Sequence, residues 1–403
     1  MTDPAEALAA LVRASGRDVL ATLTRWTGNL ALAEDAVQDA TVRALETWPR
    51  DGVPENPVAW LRTVARRRAV DLIRREGARG EKEAAAMEAL PEEDPVDSVV
   101  TDDLLRLVFT CCHPSLAPET QVALALRTLC GLTTPEVARA LLVSEASMAK
   151  RLTRARQKIQ QANIPYRVPP DHELPGRWAA VLATTYLLFN EGYAATSGPL
   201  LVRDELVDEA VRLARLLVRL RPDDAGAAGL LALMLLQDSR RAARADAGGE
   251  PVLMADQDRS RWDRSKIEEG VRLVGEGLRR TPTRPNRYVV QAAIASCHAL
   301  AASYAETDWD AVLSWYDVLL TLDPGPVVRL NRAAAVAERD GAAAGLALVD
   351  AIDGLDAYPL WHATRAVLLR RLGRTGEAAE ADARAEALPL NAAQRSLLGR
   401  AQV

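Results

Sequence analysis

Apolar residues recur at helical spacing along almost the whole chain, and no stretch shows the convincing two-residue alternation of a strand. Between Pro4 and Trp48, Leu8, Leu11, Val12, Leu20 and Leu23 fall on one side of a first helix, and a second helix starts near Ala31. The run from Trp48 to Pro57 holds three prolines and a glycine, which predicts a turn or loop. Pro57 suits the first turn of a further helix, reaching to about Glu76, with Leu61, Val64, Ala65 and Leu72 along one side. Gly77 to Val100 offers little to bury and reads as a linker. From Thr101 the helical pattern returns through DDLLRLVFTCCHPSL, APETQVALALRTLC and GLTTPEVARALLVSEASMAKRLTRARQKI. Thr134 is the expected N-cap there, with Pro135 at the first helical position, and Ser144 caps the next helix. Pro165, Pro169, Pro170 and Pro175 mark a second boundary, beyond which short helices are joined by Gly, Pro and Asp. The expected fold class is all-α.

Repetition appears in the C-terminal half. PVVRLNRAAAVAERDG from Pro326 and PLWHATRAVLLRRLGR from Pro359 share a proline and an alanine (Ala333, Ala366) at an offset of 33 residues. That is close to the roughly 34-residue period of tetratricopeptide helix pairs. LGRTGEAAEADARAEAL, from Leu372 to Leu388, adds to the pattern, although Ala-Leu-rich helices imitate a repeat by composition alone.

At 403 residues the chain exceeds what one core organises, and the scarcity of aromatics (4 %) beside abundant Ala, Leu and Arg favours helix. The N-terminal MTDPAEALAALV lacks the basic-then-apolar pattern of a secretory signal, and no apolar run is long enough to span a bilayer. A reducing, cytoplasmic setting is expected, with Cys111, Cys112, Cys130 and Cys297 as free thiols. A formal net charge of -5 argues against nucleic acid only if charge is spread evenly, and here it is segregated. Between Pro57 and Arg79 seven arginines face only Asp71 and Glu76; between Ser144 and Gln160 five basic residues face only Glu145.

The segment from Thr134 reads as a helix-turn-helix. Val137, Ala138 and Leu141 supply its packed face, and the second helix, from Glu145, is placed to enter a major groove. Glu145, Ser147 and Lys150 would then reach bases, and Arg151 and Arg154 backbone or bases. The competing reading is a helical hairpin with a solvated basic face. In the helix from Pro57, Arg62, Arg66, Arg67 and Arg74 lie off the apolar side, suited to phosphates, and Trp60 is either a stacking platform for an unpaired base or a core anchor.

AEDAVQDATVRAL, AWLRTVARRRAVDLIRR and the helix-turn-helix, in this order and with this linker, resemble the extracytoplasmic-function class of bacterial RNA polymerase sigma factors. The resemblance covers residues 1 to about 163. It implies that Asp35, Gln38, Asp39 and Arg43 contact core RNA polymerase, and that the arginine-rich helix, with Trp60, Arg62, Arg66, Arg67 and Arg74, contacts and helps melt the minus-ten element. It further implies that the loop ending at Asn56 holds a flipped-out base and that Glu145, Ser147, Lys150, Arg151 and Arg154 serve the minus-thirty-five element. The chain departs from the family at Leu142-Val143-Ser144, where a glycine is usual, and at Ser147-Met148 in place of Thr-Val. CCHPSLAPE, LLFNEGYAAT and the helical-repeat tail resemble the subgroup with a large tetratricopeptide-like extension.

The expected organisation is therefore region 2 at 1–78, a linker at 79–100, region 4 at 101–163, a linker at 164–175 and a regulatory extension at 176–403. The implied partners are core RNA polymerase, promoter DNA and, through the extension, a regulatory protein or an intramolecular contact. Neither a cofactor nor an enzymatic activity is expected; the rival reading is a helix-turn-helix regulator that acts without polymerase. A zinc site at Cys111, Cys112, His113 and Cys130 is disfavoured against a thiol-filled core, because adjacent cysteines suit one tetrahedral site poorly. Cys297-His298 and His362 beside Trp361 read as packing. Asn190, Glu191, Tyr193 and Ser197, in LLFNEGYAATSG, are expected in a break between helices, as a ligand pocket or contact surface on one reading and a capped junction on the other.

Overall fold

The computed structural model describes residues 3–75, 102–195 except 142 and 163, 202–388 except 247 and 249, and 390, 395, 396 and 399. The expected linker at 79–100, Leu142 and Ser197 lie outside the described residues. The chain divides into two compact units, Met1–Leu188 and Phe189–Val403. The described residues are helical with no strand, in agreement with the all-α expectation.

In the first unit, α1 (Pro4–Thr27) is capped by Asp3 and stopped by Gly28, whose φ of +62° lies where glycine is favoured. Asn29 then caps α2 (Leu30–Asp51) by accepting from the backbone N–H of Ala31 and Leu32. Ala33, Ala36, Ala40, Ala44 and Trp48 form its buried stripe, and the small alanines let α1 and α3 (Pro57–Arg75) approach closely. The helix runs through Pro49 to Asp51 instead of breaking at Trp48, because a proline in the last turn removes a single hydrogen bond at an exposed end. The second half of the unit holds α4 (Asp103–Cys111), α5 (Pro118–Thr128), α6 (Thr134–Ala140) and α7 (Glu145–Gln161). The N-cap of α6 is Thr133, one residue before the expected Thr134, because Thr133 and Glu136 form a reciprocal capping box. Ser144 caps α7 as expected.

Helix α1 packs on α4, and Arg25 pairs with Asp103 at 2.8 Å. The Tyr166 hydroxyl sits between the carbonyls of Ala21 (2.9 Å) and Asp103 (2.5 Å). The segment 164–174 is thereby held on the unit, with Ile164 and Leu174 buried, before α8 (Pro175–Tyr193) begins.

The second unit continues with α9 (Asp204–Leu220) and α10 (Ala225–Asp238), the latter apolar nearly all round and almost wholly buried. α11 (Arg264–Arg280) and α12 (Arg287–Leu300) enclose it. Gly229 and Gly277 make room for Val289: a Cβ on Gly229 would lie 2.5 Å from the Val289 nitrogen. α13 (Trp309–Leu322) leads to two hairpins, α14 (Pro326–Asp340) with α15 (Ala342–Asp350) and α16 (Pro359–Arg371) with α17 (Thr375–Glu386). Both hairpins open on the prolines of the 33-residue offset, and Ala333 and Ala366 are buried in each, as a helical repeat requires.

Asn190, Glu191 and Tyr193 lie in the last turn of α8, so the helix covers most of the expected break. Glu191 is buried and pairs with Arg203 at 3.5 Å, while the Arg203 N–H donates to the Gly192 carbonyl at 2.7 Å. These contacts describe a capped junction.

Candidate polymerase and nucleic-acid interfaces

Helix α2 turns its alanine stripe inward and therefore presents Asp35, Gln38 and Arg43 to solvent. Val42 (48 % exposed) and Leu45 (51 %) stand beside them, giving a mixed apolar and polar face that the candidate residues alone did not reveal. Asp39 differs: it is ion-paired with Arg68 of α3, joining the two helices. Asp35 and Gln38 also line a groove of about 370 Å³ whose other wall includes Arg127, Gly131 and Arg156. There Arg156, on α7, forms an ion pair with Glu34. Burial raises the Glu34 carboxyl above its ordinary range, against the opposing pull of Arg156 and Arg127.

Helix α3 buries Leu61, Ala65, Ala69, Val70 and Ile73; Arg67 and Arg74 are exposed, whereas Arg62 and Arg66 are half-buried along the edge of that apolar face. Arg62, Arg66, Arg67 and Arg74 line one groove of about 550 Å³, together with Trp26 of α1. The Arg66 guanidinium lies 5.1 Å from the centre of the Trp26 ring. A cationic groove with an aromatic wall is the chemistry that holds unpaired bases by stacking and phosphates by charge. Trp26 was not singled out by the sequence, since α1 shows no charge bias. Trp60 packs edge-on against Trp48, 5.4 Å between ring centres, beside Leu8 and Ala44, the contacts of a core anchor. Asn56 caps α3 through its side-chain oxygen, 3.0 Å from the Ala59 nitrogen.

On α7, Met148, Leu152, Ala155 and Ile159 are buried, so Glu145, Ser147, Lys150 and Arg154 are exposed and Arg151 half-buried. The exposed Ser147 hydroxyl lies 2.9 Å from that of the N-cap Ser144. Cys111, Cys112 and Cys130 are buried in the first unit as free thiols: Cys112 meets the Thr184 hydroxyl at 3.1 Å, Cys111 that of Thr128 at 3.6 Å, and burial pushes the Cys112 thiol up to about 12. No group of metal-ligating side chains occurs among the described residues, and none of their helices is long and apolar enough to cross a membrane.

Residues 11–79 match sigma-70 region 2, residues 106–159 match sigma-70 region 4, and residues 177–278 match a family of unknown function, DUF6596. An uncharacterised protein of Rhizobium meliloti (strain 1021) is 43 % identical over 99 % of this chain and 95 % of its own length. The ECF RNA polymerase sigma factor SigK of Mycobacterium sp. (strain KMS) is 32 % identical over 36 % of this chain and 78 % of its own. SigJ of Mycobacterium tuberculosis (strain ATCC 25618 / H37Rv) is 33 % identical over 40 % of this chain, which spans about half (53 %) of that relative. No solved structure matches. The chain belongs to the extracytoplasmic-function RNA polymerase sigma factors, and carries a C-terminal helical extension beyond their two regions.

Proposed function

We propose that this chain binds core RNA polymerase and directs initiation at a defined promoter set, with three faces dividing the work. The exposed side of α2, with Asp35, Gln38, Arg43, Val42 and Leu45, docks on polymerase, whereas Asp39 orients α3 through Arg68. The α3 groove, with Arg62, Arg66, Arg67, Arg74 and Trp26, receives melted minus-ten DNA; Asn56 caps α3 and Trp60 anchors it on Trp48 of α2. The exposed residues of α7, Glu145, Ser147, Lys150, Arg151 and Arg154, serve the minus-thirty-five duplex. The observation that carries the reading is the convergence of four arginines and a tryptophan in one groove beside a separate basic recognition helix. Covalent chemistry belongs to the polymerase, and the helical extension adjusts the factor's activity through the interaction surface that helix repeats provide.

The test is transcription with purified core polymerase and the full-length chain. Promoter-specific transcripts are expected; Trp26→Ala is expected to lower their yield on duplex promoters more than on pre-melted ones. Duplex binding without any association with core polymerase would instead identify a regulator that acts alone.

A further inference from the structure

Arginines in the C-terminal unit are widely ion-paired. Arg215 pairs with Glu269, Arg332 with Asp317, Arg365 with Asp350 and Arg371 with Glu338, and Arg241 lies among Asp204, Asp208 and Asp238. Three half-buried arginines bond instead to uncharged oxygens. Arg240 donates to the Gln237 side chain at 3.1 Å, Arg244 to the Tyr193 carbonyl, and Arg259 to the carbonyls of His298 and Ala301, the latter at 2.7 Å.

These three converge. Arg240 and Arg244 both lie over the Tyr193 ring, 5.7 and 3.5 Å from its centre. The helical turn between them, Arg241–Ala243, packs on the turn Arg259–Arg261, and Arg259 lies 4.6 Å from the centre of the Trp262 ring. Neighbouring positive charges repel, and a guanidinium withdrawn from water normally recovers that loss from a carboxylate. The fold also leaves Arg259 Nη2, Trp262 Nε1 and His298 Nδ1 buried without a hydrogen bond, and Trp262 is only 5 % exposed. Burial and the charges of Arg240 and Arg259 hold His298 neutral, lowered to about 4. Asp238, already paired with Arg241 and Lys266, acts on Arg244, and Glu306 acts on Arg259, yet neither carboxylate bonds to the three guanidiniums, which keep unused hydrogen-bonding groups beside them.

We propose that Arg240, Arg244 and Arg259 form a binding site for a small phosphate-bearing anion, with Arg259 Nη2 and Trp262 Nε1 as its buried donors. Three guanidiniums exceed the charge of one carboxylate and match the tetrahedral, doubly charged phosphate, which accepts forked bonds from several sides. Occupancy removes the repulsion within the cluster and stiffens the junction of the Arg259–Arg261 turn with the end of α12.

The test is titration calorimetry on the full-length chain at constant ionic strength, with inorganic phosphate in one arm and ribose 5-phosphate in the other. Saturable binding at one site per chain is expected in at least one arm, and the tighter arm distinguishes a free ion from a phosphorylated metabolite. Arg240→Gln is expected to weaken binding at least about tenfold, since it removes a forked, charge-assisted contact. Arg272→Gln, which removes an exposed arginine paired with Glu276, is expected to leave it unchanged. Arg240→Lys keeps the charge without the fork and should fall between. The absence of saturable heat in both arms, or equal affinity of the Arg240→Gln and Arg272→Gln chains, overturns the proposal; circular dichroism establishes that each variant is folded.

Discussion

Glu34 of α2 and Arg156 of α7 form an ion pair largely shielded from water, with side chains 15 and 28 % exposed, so the recognition helix is tied directly to the helix assigned to polymerase. Removing Arg156 leaves a carboxylate in a poor solvent, and Arg156→Ala is expected to destabilise the chain by about 1–3 kcal/mol at neutral pH, below the full cost of breaking a deeply buried pair. The Glu34 pKa is raised on folding, so its contribution to stability is fully present below its unfolded value of 4.5 and is lost as pH rises through the folded value. The penalty of Arg156→Ala should therefore shrink on acidification as Glu34 takes up a proton. Urea unfolding at pH 7 and near pH 4.5 measures both; an equal penalty at the two values would show that Arg156 acts through packing.

The same pair predicts a rearrangement. By their names the minus-ten and minus-thirty-five elements lie roughly 25 base pairs apart, or about 85 Å at 3.4 Å per pair. Helices joined by an ion pair cannot span that distance together. Fluorescent labels at Asp51, the exposed end of α2, and Gln157 are expected to separate when core polymerase and promoter are added, and an unchanged distance would contradict the assigned division of labour.

Arg154 is exposed on α7. If it neutralises a phosphate, Arg154→Ala should weaken duplex binding at every sequence alike and reduce the slope of log affinity against log salt by about 1. An unchanged slope removes it from the phosphate contacts.

Gly229 allows α10 and α12 to touch, and Gly229→Ala forces a methyl group to within 2.5 Å of the Val289 backbone. Over-packing of this kind should cost about 1–3 kcal/mol. Thermal unfolding of the full-length variant checks it; wild-type stability would mean that the helix pair separates freely.

His298 is half-buried, and desolvation, followed by the charges of Arg240 and Arg259, lowers its pKa from 6.5 to about 4. A depressed value contributes stability that is present above pH 6.5 and is lost as pH falls through 4, by at most about 3 kcal/mol. Unfolding free energies across that window should therefore fall, and less steeply in His298→Gln. Parallel pH profiles of the two chains would assign the slope to other groups.

The sequence by itself determined the run of helices, the caps at Thr134 and Ser144 to within one residue, the repeat hairpins and the two basic segments, because each is written in neighbouring residues at a period of 3.6 or at a capping position. Arg62, Arg66, Arg67 and Arg74 could be placed on one face for the same reason. Only the tertiary structure decided which partners those faces meet. Asp39 is joined to Arg68, Trp60 to Trp48, Trp26 to the arginine groove and Glu34 to Arg156. Arg240, Arg244 and Arg259 likewise gather only after the chain folds back on itself. Periodicity fixes the direction of a side chain on its own helix, whereas burial, charge pairing and groove formation depend on the helix packed opposite.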